Sequence, residues 1–179
     1  MIIVVYNISS QESEYYAILN ELLPDKTIKL VKNSNDFFKK NVDEVYKNLV
    51  YNEYRYYSNT KLSQSEWSQK IVADTNYIAK QLNLPKQKWK RKFIEKKNLK
   101  FKRNNKLISI FKSLFPFDNK VKNTIYSVSR PIFINKENKV AIVYLEIYKG
   151  PEYGIGSVIL FLKTNKSWKE NGNRMLWIS

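Results

Sequence analysis

Neither histidine nor cysteine occurs anywhere in the chain. Without cysteine there is no disulfide framework, no thiolate nucleophile and no thiol to carry a lipid. Without histidine the Ser-His-Asp and Cys-His arrangements of acyl-transfer enzymes are excluded. Metal sites built on imidazole or thiolate are excluded with them. A metal would need oxygen ligands, and no Asp-rich loop offers them at a suitable spacing. No metal and no cofactor are therefore expected.

Long apolar runs are missing too. No stretch approaches the roughly eighteen residues that a membrane-spanning helix needs. There is no internal repeat, no low-complexity linker and no composition break to mark two domains.

Acidic residues are scarce, with 16 Asp+Glu against 32 Lys+Arg and a net charge of +16. Such a balance suits an anionic partner, either nucleic acid or a membrane surface. Arginine, however, is confined to Arg55, Arg91, Arg103, Arg130 and Arg174. Base readout and bidentate phosphate contacts favour arginine. The excess is lysine, and it travels with many Asn, Ile and Tyr, the mixture that AT-rich codons produce. The compositional reading of the charge is therefore preferred.

What is present argues for a folded domain. Hydrophobic residues make up 43% of the chain and aromatics 15%, ample for a core and too rich for a disordered segment. The 179 residues fit one domain spanning 1–179.

Residues 2–6 are apolar but lack a preceding basic region. They read as a truncated signal or a native first strand. Ser9 and Glu12 fit a capping box, followed by Tyr15, Ile18, Leu19 and Leu22 at helical spacing. Pro24 and Asp25 end that helix, residues 27–31 alternate as a strand, and Asn33, Ser34, Asn35 and Asp36 form a loop. Val42, Val45, Tyr46 and Leu49 suit a helix, which Tyr51, Tyr54, Tyr56 and Tyr57 extend or follow. A helix is expected over 63–82, opened by Ser63 and Glu66 and stopped before Pro85. Residues 86–106 are basic, and Leu99 and Phe101 alternate with Lys100 and Lys102 as a strand with one wet face. Residues 107–115 read as a short helix stopped at Pro116.

The remainder is β in character. Residues 125–134 form a strand whose Pro131 belongs at an edge or a bulge. A turn at 135–138 leads to 140–148, the most apolar strand and the expected centre of the sheet. A loop at 150–156, a strand at 157–163, a turn at 164–167, a short strand from Trp168 and a closing strand at 175–179 follow. Helices over 9–115 and strands over 125–179 predict an α+β fold, with N-terminal helices packed on a C-terminal antiparallel sheet of about four strands. The strand near Ile28 is placed at its edge. A cystatin-like or nuclear-transport-factor-like cone is the architectural analogy.

Several segments carry a resemblance. They run Tyr126-Ser127-Val128-Ser129-Arg130-Pro131-Ile132-Phe133, Ala141-Ile142-Val143-Tyr144, Gly154-Ile155-Gly156-Ser157, Phe161-Leu162-Lys163, Trp168-Lys169 and Trp177-Ile178-Ser179. With the helix from Glu14 to Leu22, this pattern resembles a group of uncharacterised bacterial proteins of Bacteroidetes type. The chain departs from the group at Lys166-Ser167-Trp168, where a glycine usually precedes the tryptophan. The resemblance implies export to the periplasm or cell surface, and it implies no activity.

The candidate contacts follow from residue type and place. Gly150, Gly154 and Gly156 do not make a phosphate loop, because they join two strands and no helix follows. Gly154 and Gly156 are read as a positive-φ turn or a bulge, and Trp168 and Trp177 as packing on one sheet face. Glu152 and Tyr153 stand at the loop tip, where functional residues concentrate. Glu146 is a carboxylate inside an apolar strand, available for acid–base work if buried. Arg130 suits a carboxylate or phosphate clamp, or a structural pair with Glu146 across the sheet. Trp89, Lys90 and Arg91, with Phe93 and Phe101, suit stacking on a single strand. The plainer reading of that stretch is an amphipathic surface with solvated lysines. A non-catalytic binding domain, exported and engaging another protein, is the favoured function. A nucleic-acid or polyanion binder and a histidine-free carboxylate enzyme are the alternatives.

Overall fold

The computed structural model describes residues 2–43, 63, 72–102, 124–149, 153–165 and 167–179. The expected helices around Val45 to Tyr57 and at 107–115, the Glu66 half of a capping box, and the loop at 150–152 lie outside them.

The first helix, α1, runs Ile2–Leu22. Residues 2–6 are thus helical, which corrects the strand reading. The capping box at Ser9 is corrected as well, since Ser9 lies inside the helix. Glu12 does not turn back to Ser9; its carboxylate accepts from Lys90 Nζ at 2.9 Å and Gln87 Nε2 at 3.2 Å. Once a helix is nucleated, adding a turn costs little. The apolar spacing was informative: Tyr15, Ile18 and Leu19 are buried, and Leu22 is half-buried against the same core.

After α1 come β1 (Ile28–Val31), a single turn α2 (Phe37–Lys40), α3 (Thr75–Leu82), a 3-10 turn at Arg91–Phe93, and β2 (Leu99–Lys102). Five further strands follow: β3 (Thr124–Val128), β4 (Ile132–Phe133), β5 (Val140–Lys149), β6 (Gly154–Thr164) and β7 (Ser167–Ile178). Helix α3 starts at Asp74, whose carboxylate accepts from Tyr77 N at 2.9 Å. Of the helix predicted over 63–82, the described residues show Thr75–Leu82 as helix, while 63 and 72–74 are not helical. An N-terminal carboxylate cap of this kind is worth about 1 kcal/mol.

The strands form one seven-stranded sheet in the order β2-β1-β3-β5-β6-β7, with β4 also beside β5. This is larger than the four strands expected, and it is mixed. β1 pairs in parallel with both β2 and β3, so it lies inside the sheet and not at its edge. The other pairings are antiparallel. The α+β character holds: helices pack on a mostly antiparallel sheet. Among the described residues no helix is long and apolar enough to cross a membrane.

Both faces of the sheet are covered. On one face α1 packs on Ala141, Val143, Leu145, Ile159, Phe161 and Trp168. On the other, Phe38 of α2 and Ile78 and Leu82 of α3 pack on Ile142, Tyr144, Val158 and Leu160. A strand buried on both faces reads as a continuous apolar run, which is why β5 is the most apolar segment.

β7 is one strand, where two had been expected. Register shifts opposite Gly156/Ser157 and Leu160/Phe161 bend it without breaking it. Trp168 packs in the α1 core, while Trp177 bonds Tyr144 in the other layer. The shared-face expectation is corrected: an odd separation along a pleated strand places two side chains on opposite faces, and the two one-residue shifts add to an even number that keeps this alternation.

Candidate functional site

The segment between β3 and β4 builds the site. Pro131 has no backbone N–H, so the ladder stops there, and the strand expected over 125–134 divides into β3 and β4 around it. Ser129 holds the edge of the break. Its N–H donates to Tyr144 O, and its Oγ accepts from Tyr144 N, both at 2.9 Å. Arg130 then turns away from the sheet toward the C-terminal end of α3. Its guanidinium donates to the carbonyls of Pro85 at 2.7 Å, Leu84 at 3.5 Å, and Gln81. A cation at a helix C-terminus meets the negative end of the helix dipole.

The opposite wall is the loop after β1. Asn33 bridges Lys88 and Asn35 bridges Ser129. Ser34 N donates to Gln87 O at 2.7 Å, and Ser34 Oγ accepts from Gln87 N at 2.8 Å. Between loop, α3 and the break lies a cleft of about 170 Å³. Phe38, Leu82, Leu84 and Ile132 supply its apolar lining, and Asp36, Lys39, Lys86 and Arg130 its charge. Asp36 is paired with Lys86 at 3.4 Å and Lys40 at 3.5 Å. Burial pushes its carboxyl up, but Lys86, a backbone N–H and Lys40 outweigh that and hold it below the usual value. Arg130 differs. Among the described residues no carboxylate pairs with it, and its Nε is buried without an acceptor. Burial pushes its pKa below the ordinary value.

A second constellation adjoins the cleft on the same face. Glu146 stands opposite Ser127 on β3 and Gly156 on β6. Its Oε1 accepts from Tyr144 Oη at 3.3 Å, and Tyr144 Oη accepts from Trp177 Nε1 at 2.8 Å. Phe37 stacks on Tyr144 with centroids 3.6 Å apart. Burial raises the Glu146 carboxyl above its usual range; hydrogen bonds from Ser127 and Tyr144 oppose that, and Asp36 adds to it. Burial likewise pushes Tyr144 upward and Tyr148 up to about 12. Asn35 ties the halves together, donating to Ser127 Oγ at 3.2 Å.

Gly154 and Gly156 make this cluster possible. Neither has positive φ, so the turn alternative is corrected; both lie within β6, and the bulge alternative holds beside Gly156, where the register with β7 shifts. Trp177 needs the space: a Cβ on Gly154 would meet its ring at 2.9 Å, and one on Gly156 would overlap its indole nitrogen.

Of the predicted contacts, Arg130 lines the cleft and Glu146 lies in the adjoining cluster. They do not pair with each other, because the Pro131 break sends Arg130 to α3 while Glu146 stays with Ser127 and Tyr144. Tyr153 is 39% exposed, with Lys149 Nζ 5.3 Å from its ring. Glu152 lies outside the described residues. Trp89 is corrected: at 1% exposure it is core, set edge-on to Tyr16 and unable to stack on a ligand. Lys90 pairs with Glu12 of α1, and Arg91 donates to the carbonyls of Ile94, Lys96 and Lys97 in its own loop. These three lie on the α1 side, away from the cleft. Sequence reasoning missed Ser34, Asn35, Asp36, Lys86 and Ser129 as site residues. The one available signal was the polar run before Phe37, which was read only as a loop.

No family model, no curated protein and no solved structure matches the chain.

Proposed function

We propose that the chain is a non-catalytic binding domain whose partner, another protein or a small ligand, inserts one group into the cleft between the loop after β1, the end of α3 and the Arg130 break. The observation that carries this reading is the cleft itself, apolar on its walls and cationic at Arg130. Its size of about 170 Å³ suits one side chain or a small molecule. Concave apolar sites with a few convergent polar groups are the usual form of a binding pocket. In the neighbouring cluster the Glu146 carboxyl already accepts from Ser127 and Tyr144. That favours binding over hydrolytic chemistry. Export is part of the proposal and rests on the resemblance of the C-terminal pattern alone.

Amide chemical-shift mapping with a library of small fragments tests the reading. Shifts confined to residues 33–38, 82–86 and 129–132 are expected. Hits scattered over the surface, with the cleft silent, would overturn it.

One observation favours a second reading, that of a polyanion binder. Phe93 is 42% exposed, and Lys92 and Lys90 hold their ammonium groups 4.7 and 5.8 Å from its ring centre. An exposed ring among lysines is a stacking platform for single strands. That reading predicts oligonucleotide binding that weakens steeply with salt and falls further in Phe93→Ala.

A further inference from the structure

We infer that the group the cleft takes is a carboxylate on a short apolar chain. The inference rests on the binding reading above and adds the chemistry of the ligand. Three observations carry it. Arg130 lines the cleft, and no carboxylate among the described residues neutralises it. Among those residues its Nη groups meet only the backbone carbonyls of Pro85, Gln81 and Leu84, and its Nε is buried behind them. A guanidinium out of water without a counter-charge is costly, and the carbonyls of α3 offer it only partial charges. An incoming anion would supply what the fold leaves out.

The remaining lining sets which anion. Lys39 and Lys86 add positive charge, but Asp36 shares the cleft and already takes Lys86. A singly charged group is therefore favoured over a phosphate, which carries nearly two charges and would be repelled by Asp36. A carboxylate oxygen can meet the guanidinium at Nη1, which has a single carbonyl partner, Pro85, as a charge-assisted bond. Phe38, Leu82, Leu84 and Ile132 then receive the chain that bears it, taking its apolar surface out of water.

The test uses 3-methylbutanoate and its neutral isostere 3-methylbutanamide. Binding is followed by amide shifts of the full chain. The acid is expected to shift residues 33–38 and 129–132, with the amide at least about tenfold weaker, as loss of a charge-assisted bond implies. Arg130→Gln is expected to abolish the difference between the two. Because Arg130 also caps α3, that variant is compared by thermal unfolding first. Lys39→Glu, an exposed change at the rim, gives an independent check and is expected to weaken the acid several-fold more than the amide. Equal binding of acid and amide in the cleft would overturn the carboxylate and leave the binding reading standing. Silence of the cleft toward both would overturn the two together. N-acetyl-Gly-Leu with a free or an amidated C-terminus separates the sources. Tighter binding of the free peptide than of 3-methylbutanoate assigns the site to a protein C-terminus, and the reverse order assigns it to a small acid; both support the inference.

Discussion

Single residues decide more here than their types suggest. Gly156 is needed because Trp177 and Tyr144 occupy the place where its side chain would stand. Gly156→Ala is expected to cost about 1–3 kcal/mol, the usual penalty for overpacking, seen as a lower Tm. In a Trp177→Leu background the same change should cost less, because the indole is gone and only Tyr144 Oη still stands close to the added Cβ. Gln81 is a second case. Buried against β4, it donates to Phe133 O at 2.8 Å and accepts from Phe133 N at 2.9 Å. It therefore does the work of a missing neighbouring strand. Gln81→Leu strands two buried backbone groups, and a loss of about 2–6 kcal/mol is expected at roughly 1–3 per group, read by urea unfolding. Glu146 gives a pH test. Burial raises its folded-state pKa above the unfolded value, so the folded chain holds its proton more tightly. Stability from this group is then full below the unfolded pKa, near 4.5, and is lost as pH rises through the folded pKa. Glu146→Gln should remove that loss and be more stable relative to the parent at neutral pH than in acid. A constant difference across the pH range would sink the assignment.

Among elements, α1 is the one most dependent on a few polar contacts. Glu14 Oε1 pairs with Lys163 and Glu14 Oε2 accepts from Trp168 Nε1, each at 2.6 Å. One carboxylate thus ties the helix to both strands of the β6–β7 hairpin. Glu14→Ala leaves Trp168 and a half-buried Lys163 without their acceptor. A loss of about 2 kcal/mol is expected, within the range for bonds to charged groups, with hydrogen exchange rising first in α1. Elements with local signals were legible in the sequence. The continuous apolar run of β5, the helical spacing of Tyr15 to Leu22, and the turn at Asn138 (φ 51°) each follow from neighbours along the chain. The parallel pairing of β1 with β2 and β3 was not, since it joins Leu30 to Phe101 and Tyr126, and no local pattern records which distant strand a strand will meet. The site divides in the same way. Arg130 and Glu146 stood out as charges in apolar strands. Asp36, Lys86 and Gln81 gain meaning only once the loop after β1, α3 and the Pro131 break are folded onto one another.

Across the whole molecule the issue is charge. Local pairs are many: Lys96 with Asp25, Lys90 with Glu12, Lys169 with Glu21 and Lys139 with Glu137. These are exposed on at least one side, and such pairs contribute about 0–1 kcal/mol each. They also split the basic stretch, sending Lys86 to the cleft and Lys90 and Lys96 to α1 and the turn after it. Sixteen acids cannot neutralise thirty-two bases, and +16 remains. On β1 and β2 the excess is local: Lys29 is held below its ordinary pKa first by burial, then by Lys102 and Lys100. Salt acts on both contributions with opposite sign. It weakens the pairs, which are short and few, and it weakens the repulsion, which is long-ranged and summed over the whole surface. The repulsion is the larger sum, so Tm should rise between low salt and about 0.3 M NaCl, where the Debye length falls below roughly 10 Å. The rise should be the same with chloride and with an uncharged-site control such as Lys39→Gln, because no single lysine carries it. A fall in Tm over that range would mean that the pairs outweigh the net charge, and that the positive excess is compensated locally in ways the count of acids and bases does not capture.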